Sequence, residues 1–293
     1  MRLIAIIFLP MLCIPILSLL VLKFVNTKFK RLFKCSPPLA RSLLFRWVIL
    51  SAMLCVLLTP HIILAAPKDN DLQNAIQAFQ KGNWALAQKN ITIAIKSDPS
   101  NADVYYYQGL IYDAYTATGR KIEEAQISYD QAIKLNPRHS WAYRQKGQLY
   151  YDEGQFDLAV DNFTQAIQIE PSATNYKGRG AAYVALNEHA GAIADFNEAL
   201  KLDPLDELTL IERAKQYVEV GKYREAIKDT TTAMHTTTPE LIDVVLPMAY
   251  KQRALAYTMS GDKEHAVSDA QALCSLVDEC TMLDSMKGKG WVK

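Results

Sequence analysis

Charge vanishes from the chain twice, over residues 3–22 and again over residues 47–66. Each run suffices for an α-helix to cross a hydrocarbon core of about 30 Å, which takes roughly 20 residues. The segment between them, residues 23–46, holds seven basic residues, no acidic one and the helix-breaking pair Pro37-Pro38, so it reads as a loop. From Leu72 onward the pattern becomes cyclic: small, aromatic and apolar residues return at fixed places about every 34 residues, with polar residues between them. The clearest cycle runs Tyr143, Gly147, Tyr150, Gly154, Phe156, Ala159, Phe163, Ala166 and Pro171. The next repeats it as Tyr176, Gly180, Tyr183, Ala192, Phe196, Ala199 and Pro204. The preceding cycle reads Tyr105, Gly109, Tyr112, Gly119, Ala125, Tyr129, Ala132 and Pro137, with four extra residues in its turn around 116–121.

Each cycle predicts two antiparallel helices. Gly or Ala at the eighth place, opposite Ala at the twentieth, lets the pair approach to about 8 Å. Aromatic rings at places four, eleven and twenty-four then fill the space between successive pairs, and the proline stops the second helix. Looser cycles flank the clear ones. The fifth keeps Leu210, Ala214, Tyr217, Gly221, Tyr223, Ala226, Ala233 and Pro239, with Thr230 at the usual aromatic place. The sixth keeps Tyr250, Ala254, Tyr257, Gly261, Ala266 and Ala270 after an insertion around 241–246. The first keeps mainly Gly82, Trp84, Ala87, Ile91, Ala94 and Pro99. This pattern resembles the tetratricopeptide repeat over about residues 68–280. The resemblance implies an all-α solenoid of helix-turn-helix units at about 68–101, 102–139, 140–172, 173–206, 207–240 and 247–280. One or two transmembrane helices precede it, and a tail follows at 283–293. It also implies a concave groove that holds peptides or helices of partner proteins.

Charge divides the chain into a membrane segment, 1–66, and a repeat domain, 67–282. Residues 1–66 carry eight basic residues and no acidic one, whereas the rest sets 24 basic against 31 acidic, a net of −7. So acidic a body argues against a nucleic-acid partner, which calls for surplus Lys and Arg. A short basic loop between spans stays on the cytoplasmic side, which places the repeat domain outside the cytoplasmic membrane. The second run also reads as a leader, with Arg41 and Arg46 as its charged region and Leu64-Ala65-Ala66 as a weak cleavage site that Pro67 disfavours. In that case the body is secreted or periplasmic; both readings export it.

Within the resemblance, places two, five, nine and twelve of each first helix face the groove. In register these are Tyr106, Leu110 and Asp113; Trp141, Arg144, Gln148 and Tyr151; Lys177, Ala181 and Val184; Leu208, Ile211, Lys215 and Val218; and Met248, Lys251, Leu255 and Thr258. The residues expected to hold a partner are Tyr106, Leu110, Trp141, Arg144, Gln148, Tyr151, Lys177, Lys215 and Lys251. Tyr106, Trp141 and Tyr151 form an aromatic end, and Arg144, Lys177, Lys215 and Lys251 a basic line, so the expected ligand is an apolar peptide or helix of some acidic character. The competing reading makes these ordinary surface residues, with Trp141 packed on the preceding unit. Leu110, Gln148 and Ala181 stand where the family's two-carboxylate clamp wants Asn, which argues against a cytosolic chaperone cofactor.

Chemistry is sparse. His139, His189, His235 and His265 are scattered over separate units, and no metal-ligand spacing, Gly-x-Ser-x-Gly or phosphate loop occurs, so no catalytic residue, metal, cofactor or small-molecule substrate is assigned. The sequons at Asn90 and Asn162 fall in second helices, where glycan acceptors are disfavoured. Cys274 and Cys280 bridge only if the last helix ends near residues 277–278 and turns; two separate thiols are the alternative. The expected function is a membrane-tethered, non-enzymatic interaction scaffold. The alternative is a structural or assembly component of a pilus, secretion, outer-membrane or cytochrome c maturation machine.

Overall fold

The computed structural model describes residues 69–114, 121–277 and 280–292. The apolar runs 3–22 and 47–66, the basic loop 23–46 and the extra turn residues 115–120 lie outside the described residues. No helix among those described is long and apolar enough to cross a membrane. The chain divides after residue 67 into two units, of which the second, residues 68–293, is compact. In the second, thirteen helices are described and no strand: α1 Asp69–Gln80, α2 Trp84–Ser97, α3 Ala102–Ala114, α4 Ile122–Leu135, α5 Ser140–Asp152, α6 Phe156–Ile169, α7 Ala173–Ala185, α8 His189–Leu202, α9 Glu207–Glu219, α10 Tyr223–Thr236, α11 Ile242–Ser260, α12 Lys263–Val277 and α13 Thr281–Gly288.

The period seen in the sequence becomes six helical pairs, α1/α2 to α11/α12. A residue in the left-handed region closes the first helix at the same place in five of them: Gly82, Gly154, Gly221 and Gly261, with Asn187 (φ 60°) in the fourth. Asn tolerates that conformation where most side chains do not. His139, Ser172 and Asp206 cap α5, α7 and α9, each accepting the N–H three residues on, from Ala142, Asn175 and Thr209. The second helices stop two residues before Pro99, Pro137, Pro171 and Pro204, since the residue before proline is steered away from the helical region.

The core is a file of small clusters, one per junction. Ala75, Ile91, Val104 and Ile111 join the first two pairs; Ala159, Phe163 and Ala182 join the third and fourth; Leu200, Leu210, Ile211, Ala233, Val245 and Ala249 hold the fourth to sixth together. The nearest atoms to the eighth place belong to the aromatic ring at the twenty-fourth, not to the small residue at the twentieth. A Cβ on Gly109 would lie 2.4 Å from the Tyr129 ring, and one on Gly180 would lie 2.8 Å from Phe196. Phe163 also reaches into the next pair, where a Cβ on Gly178 would lie 2.4 Å from it.

Two features depart from the sequence expectation. The insertion at 241–246 is an added first turn of α11, which runs 19 residues with Pro247 inside it. The tail at 283–293 is not an appendage. α13 lays Leu283 and Met286, with Trp291 and Val292 beside them, on Ala266 and Ala270 of α12. α12 ends at Val277, and Cys274 and Cys280 are bridged across the bend, with Cα atoms 4.5 Å apart.

Candidate functional site

The first helices α5, α7 and α9 present the groove places of the sequence reading in two adjoining depressions. One, of about 480 Å³, lies between α5 and α7 and is lined by Arg144, Gln148, Phe163, Lys177, Gly178 and Ala181. The other, about 340 Å³, lies between α7 and α9 and is lined by Tyr151, Lys177, Ala181, Val184, Leu208 and Glu212. Lys177 and Ala181 line both, so the two adjoin along α7 and are together called the channel. Small residues line it on α7: the Phe163 ring packs against Gly178, and Ala181 borders both depressions.

Its charges are not a basic line. Lys177 Nζ meets Asp206 Oδ2 at 2.5 Å, and Lys215 Nζ meets Glu212 Oε1 at 2.5 Å, because the neighbouring first helix or helical turn supplies a carboxylate to each. Burial works against charge on Asp206. Hydrogen bonds from Lys177 and from the Thr209 N–H outweigh it and hold the carboxyl below its usual range. Gln148 donates through Nε2 to Asp152 at 2.7 Å. Lys251 lies half-buried on α11, outside both depressions.

The aromatic end also divides. Tyr106 is 5% exposed and belongs to the core with Ala125, Tyr129 and Ala142. Its ring is covered by His139 at 5.0 Å and Trp141 at 6.1 Å between centroids, so it is not available as an anchor. Leu110 packs half-buried on the same cluster. Trp141 rests one side on Tyr106 of the preceding pair and stays 48% exposed. It lines a separate hollow with Asp103, Arg138, His139 and Glu170. Tyr151 instead packs edge-on against Phe156 at 5.5 Å and faces the α7/α9 depression. Ile211, another groove place, is wholly buried.

A second set of polar residues went unassigned by the sequence reading. Arg179, Arg213 and Arg253 occupy one place of successive first helices, and each clamps an Asp sixteen residues on with two hydrogen bonds: Asp195, Asp229 and Asp269, at 2.7 to 2.8 Å. Each Arg also reaches back to a polar residue of the preceding pair: Thr164, Asn197 and Thr231. Lys146 takes the same place in the third pair and binds Asp130 of the second. Bonding to Asp195 and Asp269 holds the Arg179 and Arg253 guanidiniums above their usual pKa against the pull of burial. The signal is visible in the sequence as Arg and Asp recurring together at a fixed interval of sixteen. Its role is to fix one pair against the next.

Among the described residues no group of three or more His, Cys, Asp or Glu side chains is placed to hold a metal ion. His139 is the nearest approach to a polar centre. Its Nδ1 accepts the Ala142 N–H at 3.2 Å, so its Nε2 carries the proton toward Asp103 Oδ1 at 3.1 Å, a cap held by a carboxylate.

Family models described as "Tetratricopeptide repeat" match residues 72–137, 140–172 and 173–206. These segments are tetratricopeptide repeats. Human tetratricopeptide repeat protein 13 is 26% identical over 195 residues, covering 64% of this chain and 22% of that protein. Human DnaJ homolog subfamily C member 7 is 28% identical over 165 residues, covering 50% of this chain and 33% of that protein. The chain thus spans a third or less of the length of these curated relatives. Among solved structures, Pseudomonas aeruginosa PilF superposes with a TM-score of 0.60 at 17% identity, covering 76% of this chain and 97% of that one. YrrB, described as a TPR protein with an unusual peptide-binding site, gives 0.59 at 18% identity over 68% of this chain and 97% of that one. PilW, described as a widely conserved type IV pilus biogenesis factor, gives 0.59 at 16% identity over 76% of this chain and 99% of that one. These likenesses establish the tetratricopeptide solenoid as the fold, a type of scaffold for protein interaction, and none indicates a catalytic family.

Proposed function

We propose that the chain is a membrane-tethered, non-enzymatic scaffold that presents the α5/α7/α9 channel, outside the cytoplasm, to a peptide or helical segment of a partner protein. The observation that carries this reading is that the two depressions adjoin along α7, sharing Lys177 and Ala181. Small lining residues, the apolar Val184 and Leu208, and the aromatic Tyr151 suit an apolar segment. Because Lys177 and Lys215 already hold carboxylates, acidic character in the partner is served mainly by Arg144, and the reading shifts toward an apolar ligand with few charges. The tether and export rest on the two uncharged runs and the basic loop between them.

A second reading, part of an envelope assembly such as a pilus, draws on the description of PilW as a type IV pilus biogenesis factor, whose likeness to this chain is one of fold. In-cell crosslinking from a photoreactive residue at Tyr151 tests both. Recovery of the same few proteins, lost on Arg144→Glu and on Ala181→Trp, supports the channel. Recovery unchanged by either substitution removes it and leaves binding by another face. A reporter fused after Lys293 that is active in the cytoplasm overturns the exported topology.

A further inference from the structure

The junction between the fourth, fifth and sixth pairs breaks the repeat in a way that stacking does not require. Arg179 and Arg213 are 34 residues apart, but Arg213 and Arg253 are 40 apart, and the added residues build the extra first turn of α11. That turn buries Val245 in the cluster with Leu200 and Leu210, yet it leaves Leu241, Ile242 and Val244 in solvent, the last 50% exposed. The loop leading into α9 adds Leu205, 58% exposed, and the first turn of α9 adds Leu208. The loop places matching Leu205 in the first and third pairs hold Ser100 and Ser172. Residues 202–208 run between Leu200 and Leu210, and residues 241–244 lead directly into Val245, all members of one buried cluster, so both segments lie at a single junction. Leu208 also makes it continuous with the channel.

Charge selects the occupant. Residues 202–210 and 236–249 contain no Lys or Arg, while Asp203, Glu240 and Asp243 are exposed and Glu207 is half-buried among the leucines. Two lysines border it, each already paired: Lys201 with Glu198 at 2.6 Å, and Lys177, beside Leu208, with Asp206 at 2.5 Å. We infer that this rim, formed by Leu205, Leu208, Leu241, Ile242 and Val244, docks an amphipathic protein segment whose apolar face is bordered by Lys or Arg. Apolar side chains surrounded by a complementary polar border are what protein interfaces offer, whereas isolated exposed leucines are ordinary. A bilayer surface rich in anionic lipid is disfavoured by the same carboxylates. Leu208 is shared with the channel, so the inference is carried by Leu205, Leu241, Ile242 and Val244, none of which lines it.

The test uses the full-length chain in phosphatidylcholine nanodiscs, with empty discs as the blank, and two labelled amphipathic peptides of one pattern, leucine with lysine and leucine with glutamate. The lysine peptide is expected to bind and the glutamate peptide not to. Leu205→Ser with Val244→Ser, both exposed and so compatible with folding, should weaken binding about tenfold. Glu240→Lys with Asp243→Lys should transfer preference to the glutamate peptide. Binding unchanged in both double variants overturns the inference, as does binding that Arg144→Glu or Ala181→Trp removes instead. A photoreactive residue at Val244 that labels disc lipid and not the peptide overturns it in favour of a bilayer contact.

Discussion

At the scale of single residues, the repeat is governed by an exchange of volume between two places. Where the twenty-fourth place holds Tyr129, Phe163 or Phe196, the eighth is Gly109, Gly147 or Gly180; where it shrinks to Thr230 or Ala270, the eighth grows to Ala214 or Ala254. The exchange is legible in the sequence, although the partner of the eighth place is the ring and not the small residue at the twentieth. In an exposed helix Gly→Ala gains about 1 kcal/mol from propensity. At Gly180 the new methyl would lie 2.8 Å from Phe196, and overpacking of that kind costs about 1–3 kcal/mol. Urea unfolding of Gly180→Ala should therefore show a net loss of about 1 kcal/mol, the difference of those two terms. A gain would mean that the Phe196 ring moves aside. Tyr106 shows where such legibility stops. Register alone puts it in the groove, but His139 and Trp141, more than thirty residues on, close over its ring. Only the stacked structure brings those groups to it.

At the scale of elements, helix limits follow from local chemistry and the sequence shows them well: left-handed turns, capping side chains and prolines each act within a few residues. Contacts between pairs are less visible, because they join residues whose spacing must be counted across a whole cycle. The Arg–Asp ladder is the main case. Asp229 is buried, and Arg213 links it to Asn197 of the preceding pair. Removing one member leaves the other desolvated, at a cost of about 3 kcal/mol, whereas replacing both with apolar residues of similar volume is often near neutral. Arg213→Ala should lower the urea midpoint strongly, and Arg213→Leu with Asp229→Leu should lower it less. If the double variant is as unstable as the single, the pair contributes through its attraction rather than through the penalty of an orphaned charge. The channel adjoins this ladder: Arg213 ties α9 to Asn197 of α8, and the Lys177–Asp206 bridge ties α7 to the N-terminus of α9.

At the scale of the whole repeat domain, a core made of successive small clusters gives stability that is passed from neighbour to neighbour, so the ends open first unless they are covered. The outer face of the sixth pair is covered by α13 through Leu283, Met286 and Trp291, and the Cys274–Cys280 bridge ties that helix to α12. Closing so short a loop is worth about 2 kcal/mol, which corresponds to roughly thirtyfold in the opening equilibrium that hydrogen exchange reads. Adding a dithiol reductant to the full-length chain should therefore accelerate amide exchange across residues 281–292 by about that factor. A smaller change should reach α12, whose Ala266 and Ala270 lie beneath the cap. Nothing should change in α5 to α7, because the cluster that holds them shares no residue with the cap cluster of α12 and α13. Acceleration throughout the domain would show instead that the cap is coupled to the whole stack, and exchange indifferent to the reductant would show that packing of Leu283, Met286 and Trp291 holds α13 without the bridge.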